Sequence, residues 1–178
     1  MKNCKVCNTE FLEYKTTQRV CSYDCAIEYA LLKRQKDELK EWSKRKRKLK
    51  EGLKTLSDHI KETQKVVNLY IRLRDTGKPC ISCGIKYQSN FQAGHLYPAG
   101  TCWPVRFDPR NIHGQCRQCN MNKSGNLNEY RKNILYRITE SDLKELDALA
   151  HTTANYSKDQ LEEIKQIFKA KIQQIKKK

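Results

Sequence analysis

Residues 80–125 read CISCGIKYQSNFQAGHLYPAGTCWPVRFDPRNIHGQCRQCNMNKSG, and two Cys-x-x-Cys pairs, Cys80/Cys83 and Cys116/Cys119, bracket the loop. One such pair is a weak signal. Two pairs of the same form, separated by a loop of domain-building length, supply four thiolates in a tetrahedron around one Zn²⁺. Such a site is structural and closed: all four ligands are sulfur, no position is left open for water, and chemistry has to sit beside the metal. The loop between the pairs holds His95, Asn111 and His113.

Outward from this stretch the chain reads as helices. Ile60, Val67, Tyr70, Ile71 and Arg74 recur at three- and four-residue steps and predict a helix over 57–75, which Thr76-Gly77-Lys78-Pro79 ends on the way to Cys80. Downstream, 126–138 reads as helix, Thr139-x-x-Asp142 as the start of a short one, and Ser157-x-x-Gln160 as the capping box of the last. That last helix carries Leu161, Ile164, Phe168, Ile172 and Ile175 on one stripe, expected to be core or a partner-helix seam, and ends in the basic tail Lys176, Lys177, Lys178.

At the other end, Cys4-x-x-Cys7 and Cys21-x-x-x-Cys25 form a second four-cysteine set. The alternation in FLEYKTTQRV between them suggests a short hairpin, so residues 1–30 are expected to form a small zinc finger that uses the metal because it cannot bury enough core. From Ala26 to Glu51 there is no Gly or Pro, which predicts a long helix ending near Gly52. Lys44, Arg45, Lys46, Arg47 and Lys48 spread around it, suiting an arm along a phosphate backbone better than a core element; a solvated linker is the plain alternative. The expected organisation is therefore a finger (1–30), a basic helical arm (31–56), a zinc-containing domain (57–138) and C-terminal helices (139–178). The fold class is α+β, mainly helical.

A formal charge of +16 on 178 residues points to a polyanionic partner, with nucleic acid the default. No apolar run approaches the roughly 20 residues needed to cross a bilayer, and MKNCKVCNTE lacks a signal-peptide core, so a cytoplasmic protein is expected. Eight of nine cysteines fall into tight pairs, which favours metal over disulfide in a reducing compartment; Cys102 is expected to pack as a small apolar residue.

Gly94-His95-x-x-Pro98, Asn111 five residues before Cys116, and Cys116-x-x-Cys119-Asn120-x-x-Lys123-x-Gly125 resemble the HNH, or His-Me finger, endonucleases. That resemblance implies a ββα unit, stapled by a four-cysteine zinc, in which a strand carries the His, a loop the Asn, and a helix closes the unit around a catalytic metal. Asn120 is similar to the metal-binding Asn of the junction-resolving phage endonuclease VII. The whole chain resembles the phage NinG (Rap) recombination proteins through its cysteine finger, basic helix, IRLRDTGKPCISCG (71–84) and RFDPRNIHGQCRQCNMNKSGN (106–126). This implies a structure-dependent nuclease acting on branched recombination intermediates such as Holliday junctions and D-loops.

The residue types suit that chemistry. Phosphodiester hydrolysis needs a base for water and a cation for the developing charge. Imidazole is a fitting base near neutral pH, which gives His95 that role. Asn111 can hold the His95 loop by hydrogen bonds, Asn120 offers a neutral oxygen to Mg²⁺ or Mn²⁺, and Arg106, Arg110 and Lys123 are placed to meet phosphates. The wider HNH family carries Asp immediately before the His, where this chain has Gly94; Asp108, His95 itself or DNA phosphates are then the candidates to complete a catalytic metal site. The expectation is a Mg²⁺- or Mn²⁺-dependent endonuclease with two structural zinc ions, cutting branched DNA as a homodimer. The alternatives are a non-catalytic zinc-finger DNA-binding or annealing protein, and an HNH enzyme cutting linear duplex.

Overall fold

The computed structural model describes Met1–Lys177, so Lys178 of the basic tail lies outside the described residues. The chain divides into two compact units, Met1–Lys54 and Thr55–Lys178. The finger and arm thus form one body, and the helices beyond 138 belong with the central domain, a coarser grouping than the four parts expected.

In the first unit, β1 (Lys2–Asn3) pairs antiparallel with β2 (Glu10–Phe11), flanking the Cys4-x-x-Cys7 knuckle. The hairpin expected within FLEYKTTQRV is not formed: only Phe11 of that run lies in a strand, because the strands pair across the first knuckle. Asn8 takes the left-handed conformation (φ 61°) that turns the chain back, and its N–H donates to Cys4 O at 3.1 Å. Ser22 caps α1 (Tyr23–Gly52) by accepting from Cys25 N–H, which sets Cys25 in the first helical turn. No residue of α1 is buried, in keeping with a sequence that spreads charge around the helix.

In the second unit, Thr55 and Asp58 form a capping box that starts α2 (Leu56–Arg74). At the end of α2, Arg74 and Asp75 link it to the sheet. Asp75 accepts from Arg74 and from Gly114 N–H (2.8 Å), and Arg74 donates to Pro109 O and Ile112 O. Burial raises the Asp75 pKa, but Arg74 and the Gly114 N–H outweigh it and hold the carboxyl at about 2. The sheet is a two-stranded antiparallel hairpin of β3 (Gln92–His95) and β4 (Ile112–Gln115), with Gly94 opposite His113 and His95 opposite Ile112.

After β4 a π-helical turn (Gln118–Asn122) leads through left-handed Ser124, Gly125 and Asn126 into α3 (Leu127–Asn133). The continuous helix expected over 126–138 ends at Asn133, and a 3₁₀ turn covers Ile134–Tyr136. Capping boxes at Thr139/Asp142 and Ser157/Gln160 start α4 (Glu140–Ala150) and α5 (Lys158–Lys176), as their spacing predicts.

Two apolar cores explain why the C-terminal helices are inseparable from the hairpin. One joins Ile81, Leu96, Val105, Tyr130 and Ile134 to Leu146 and Ala150 of α4, with Cys102 packed at its edge. The other joins Val67 and Ile71 of α2 to Ile112 and to Leu161 and Phe168 of α5, where the buried Thr63 hydroxyl also donates to Leu161 O. The stripe on the last helix is therefore core.

Candidate functional site

Both four-cysteine sets converge. The sulfurs of Cys4, Cys7, Cys21 and Cys25 lie within 4.8 Å of one another, as do those of Cys80, Cys83, Cys116 and Cys119. A tetrahedron with Zn–S bonds of about 2.3 Å has S···S edges of about 3.8 Å. Cys7–Cys21 at 3.4 Å, Cys21–Cys25 at 3.7 Å and Cys83–Cys116 at 3.8 Å are close to that edge. Backbone N–H groups of Cys116 and Cys119 point at the sulfurs of Cys80 and Cys116, and Asn126 Nδ2 at that of Cys119, as suits thiolate acceptors. In each cluster one thiol is pushed up to about 12: Cys21 by the sulfurs of Cys7 and Cys4, Cys119 by burial and then by its neighbours. Four such thiolates repel unless a cation lies among them, so the donor sets fit zinc and would hold it as a structural ion.

The second cluster fixes the hairpin. Ile81 N–H donates to Gly114 O, Ser82 Oγ to Gly125 O, and Gln115 Nε2 to both Ser82 Oγ and Gly125 O. His95 ends β3 beside this staple. Its Nε2 lies 3.3 Å from Arg106 O, a pure acceptor, so the neutral ring carries its proton on Nε2 and keeps Nδ1 as the basic nitrogen. Burial lowers the His95 pKa to about 4, with the nearby Arg106 charge assisting and the bond to Arg106 O opposing. The ring is a neutral base across the physiological range.

Asn111 holds the loop that follows His95. It is buried; its Oδ1 accepts from Tyr97 N–H at 2.8 Å, and its Nδ2 donates to Tyr97 O and Val105 O, both at 3.0 Å. With Leu96 N–H on Asn111 O, both sides of the excursion from 97 to 111 are pinned. His113 is a core histidine: 2% exposed, Nδ1 3.0 Å from Tyr130 Oη, and held at about 3 chiefly by burial.

The remaining expected residues divide sharply. Asn120 donates through Nδ2 to Gln92 Oε1 at 2.7 Å, leaving Oδ1 as an acceptor, and Lys123 is exposed at the end of the π-helical turn. Lys44 to Lys48 are exposed on α1, Lys44 pairing with Glu41 and Lys46 lying over the Trp42 ring. Arg106 and Arg110, expected at phosphates, are committed inside the protein. Arg106 donates to Gln64 Oε1 and Ala99 O and stacks on Trp103. Arg110 is ion-paired with Asp108, Asp142 and Glu145. Asp108, a candidate metal ligand by sequence, is thereby spent on Arg110, and among the described residues the two cysteine sets are the only groups of three or more metal-ligating side chains that converge.

Gly94 has a packing reason. A Cβ there would overlap Gln115 Oε1 and lie 2.9 Å from its Cδ, so any side chain at that position, the acidic one of the wider HNH family included, requires the Gln115 side chain to move. Of the side-chain oxygens expected to bind a hard divalent cation, Asp108 is paired with Arg110 and Asn120 Oδ1 remains an open acceptor; one neutral oxygen does not make a site by itself.

Sequence reading missed one feature of this region. An open cleft of about 370 Å³ lies between α2 and the hairpin, lined by Lys65, Asn68, Arg72, Gln92, Ala93 and Asn120. The i, i+3, i+7 spacing of Lys65, Asn68 and Arg72 is the signal that places them on one helical face.

A mainly helical α+β chain with two small hairpins, each tied to a four-cysteine cluster, is a basic protein built around two clusters that could each hold a zinc ion. The family model described as Bacteriophage Lambda NinG protein matches residues 1–178, and the chain belongs to the NinG family. It is 33% identical to Protein ninG of Escherichia phage 933W over 98% of this chain and 94% of that one. Over 70% of the chain it is 37% identical to Protein ninG of Salmonella phage P22 and 36% identical to that of Escherichia phage lambda, covering 61% of each. No solved structure matches. No helix among the described residues is long and apolar enough to cross a membrane.

Proposed function

We propose that the chain is a divalent-cation-dependent endonuclease that hydrolyses phosphodiesters in branched DNA during phage recombination. The observation that carries this reading is the placement of His95: a ring at the end of a hairpin tied to a four-cysteine cluster, with Nε2–H on Arg106 O and Nδ1 left unprotonated. An unprotonated imidazole nitrogen can accept a proton from water; burial makes this one a weaker base than a free imidazole. Asn111 fixes the loop that presents Arg106 O, and so indirectly the ring's orientation. A bound Mg²⁺ or Mn²⁺ supplies charge stabilisation; Asn120 Oδ1 would be the protein's contribution to holding it, with the remainder from DNA phosphates, as is common for Mg²⁺. Branched rather than linear substrate is inferred from the resemblance to junction-resolving phage nucleases and from a +16 chain whose two units each carry basic surface.

A second reading has its own observation. Position 94 carries no carboxylate and the Gln115 side chain packs against it, so a non-catalytic DNA-binding protein built on the same scaffold accounts equally for the four-cysteine clusters and the charge. The test is to incubate a labelled four-way junction and its linear arms with zinc-loaded protein, in Mg²⁺, in Mn²⁺ and without added divalent cation. Cation-dependent cutting of the junction that His95→Ala abolishes is the expected result. Tight junction binding with no cutting under any of these conditions establishes the second reading.

A further inference from the structure

The cleft between α2 and the hairpin carries two cations, Lys65 and Arg72. Lys65 and Arg72 have no carboxylate partner among the described residues, whereas Arg74, Arg110 and Lys165 are all paired. They stand two helical turns apart, about 10.5 Å along the axis of α2. Asn68 lies between them, held at Oδ1 by Gln64 Nε2, so its own amide N–H groups remain to donate. The opposite wall is Gln92 and Asn120, neutral amides bonded to each other, and Ala93, whose small side chain leaves the cleft open. No carboxylate lines it.

Two free cations, amide donors and no acid match a polyanionic strand better than an apolar ligand or a basic peptide. We propose that this cleft binds the sugar-phosphate backbone of a DNA strand, with Lys65 and Arg72 each on a phosphate. Its relation to cutting rests on the nuclease reading above; the phosphate contacts themselves do not.

The experiment is anisotropy of a labelled four-way junction with full-length, zinc-loaded protein, without Mg²⁺, over a salt series. Removing two phosphate contacts by Lys65→Gln with Arg72→Gln reduces the slope of log affinity against log salt by about 1.8. Lys132→Gln with Lys144→Gln changes net charge equally but removes lysines already paired with Glu129 and Glu140, and should leave the slope at the parent value. Lys65→Arg with Arg72→Lys should restore the parent slope. An unchanged slope in the cleft variant, or an equal change in the charge-matched control, overturns the proposal whether or not the protein cuts DNA. If the cleft slope falls as expected and the parent never cuts, the nuclease reading fails and the backbone site stands.

Discussion

The Gln115 side chain occupies the space that a Cβ at Gly94 would take, so these two residues from facing strands pack directly against each other. Gly94→Asp should therefore act as an overpacking change, costing about 1–3 kcal/mol, without creating a metal ligand. Urea denaturation should show the loss and Mg²⁺ titration no gain in affinity. A variant as stable as the parent that binds Mg²⁺ more tightly would show that the two strands part easily.

Asn111→Ala removes the partner of Tyr97 N–H, Tyr97 O and Val105 O in a buried setting. Each group left unpaired costs about 1–3 kcal/mol. The denaturation midpoint should fall, and at temperatures where the variant is still folded, cutting should be lost before junction binding. Equal loss of both would mean that the loop does not position the site.

The pH dependence has a definite sign. The His95 pKa is about 4 in the fold, below its ordinary value of 6.5, so the folded state binds fewer protons than the unfolded chain between those values. Its contribution to stability is complete above about pH 6.5 and is lost as pH falls toward 4. Burial of His113, at about 3, adds a loss in the same direction. Single-turnover cutting should be flat from pH 5 to 7.5 if His95 is the base; a midpoint near 6.5 would show a ring open to water. His95→Ala should reduce the rate by ~10²–10⁴. His113→Ala should chiefly destabilise, because it empties a buried site beside Tyr130.

Loss of one zinc centre should be confined to its own unit. Cys80→Ser or Cys116→Ser removes a ligand from the staple on which β3 and β4 are built, and should unfold residues 55–178 while a second metal remains bound. Cys4→Ser should release one metal and leave the far-ultraviolet signal and thermal transition of the larger unit in place. Elemental analysis should give about two Zn²⁺ per parent chain and about one in either variant. Loss of both metals from Cys4→Ser would show that the units do not fold separately.

Much of this was legible because it depends on short-range chemistry. Cysteine spacing located both centres, capping boxes located the starts of α4 and α5, and periodicity placed α2 within a residue of its observed bounds. What was not legible depends on partners far along the chain. Arg106 and Arg110 look like free cations until Gln64, Ala99, Asp142 and Glu145 arrive beside them. Gly94 reads as a missing ligand until Gln115 is seen against it. Nothing in the sequence singles out Lys65 and Arg72, since periodicity tells which residues face the core but not which strand borders the rest. The first hairpin was misplaced because two-residue strands carry no alternation to read.

The packing of α5 on α2 also sets an order of events during synthesis. The wall that holds Lys65 and Arg72 is anchored by Leu161 and Phe168, nearly one hundred residues later in the chain. Such long-range contacts form only after the intervening chain has been made. On a ribosome, the hairpin and its cysteines emerge before the helix that steadies the cleft, so the four-cysteine cluster can form before the wall carrying Lys65 and Arg72 is packed in place.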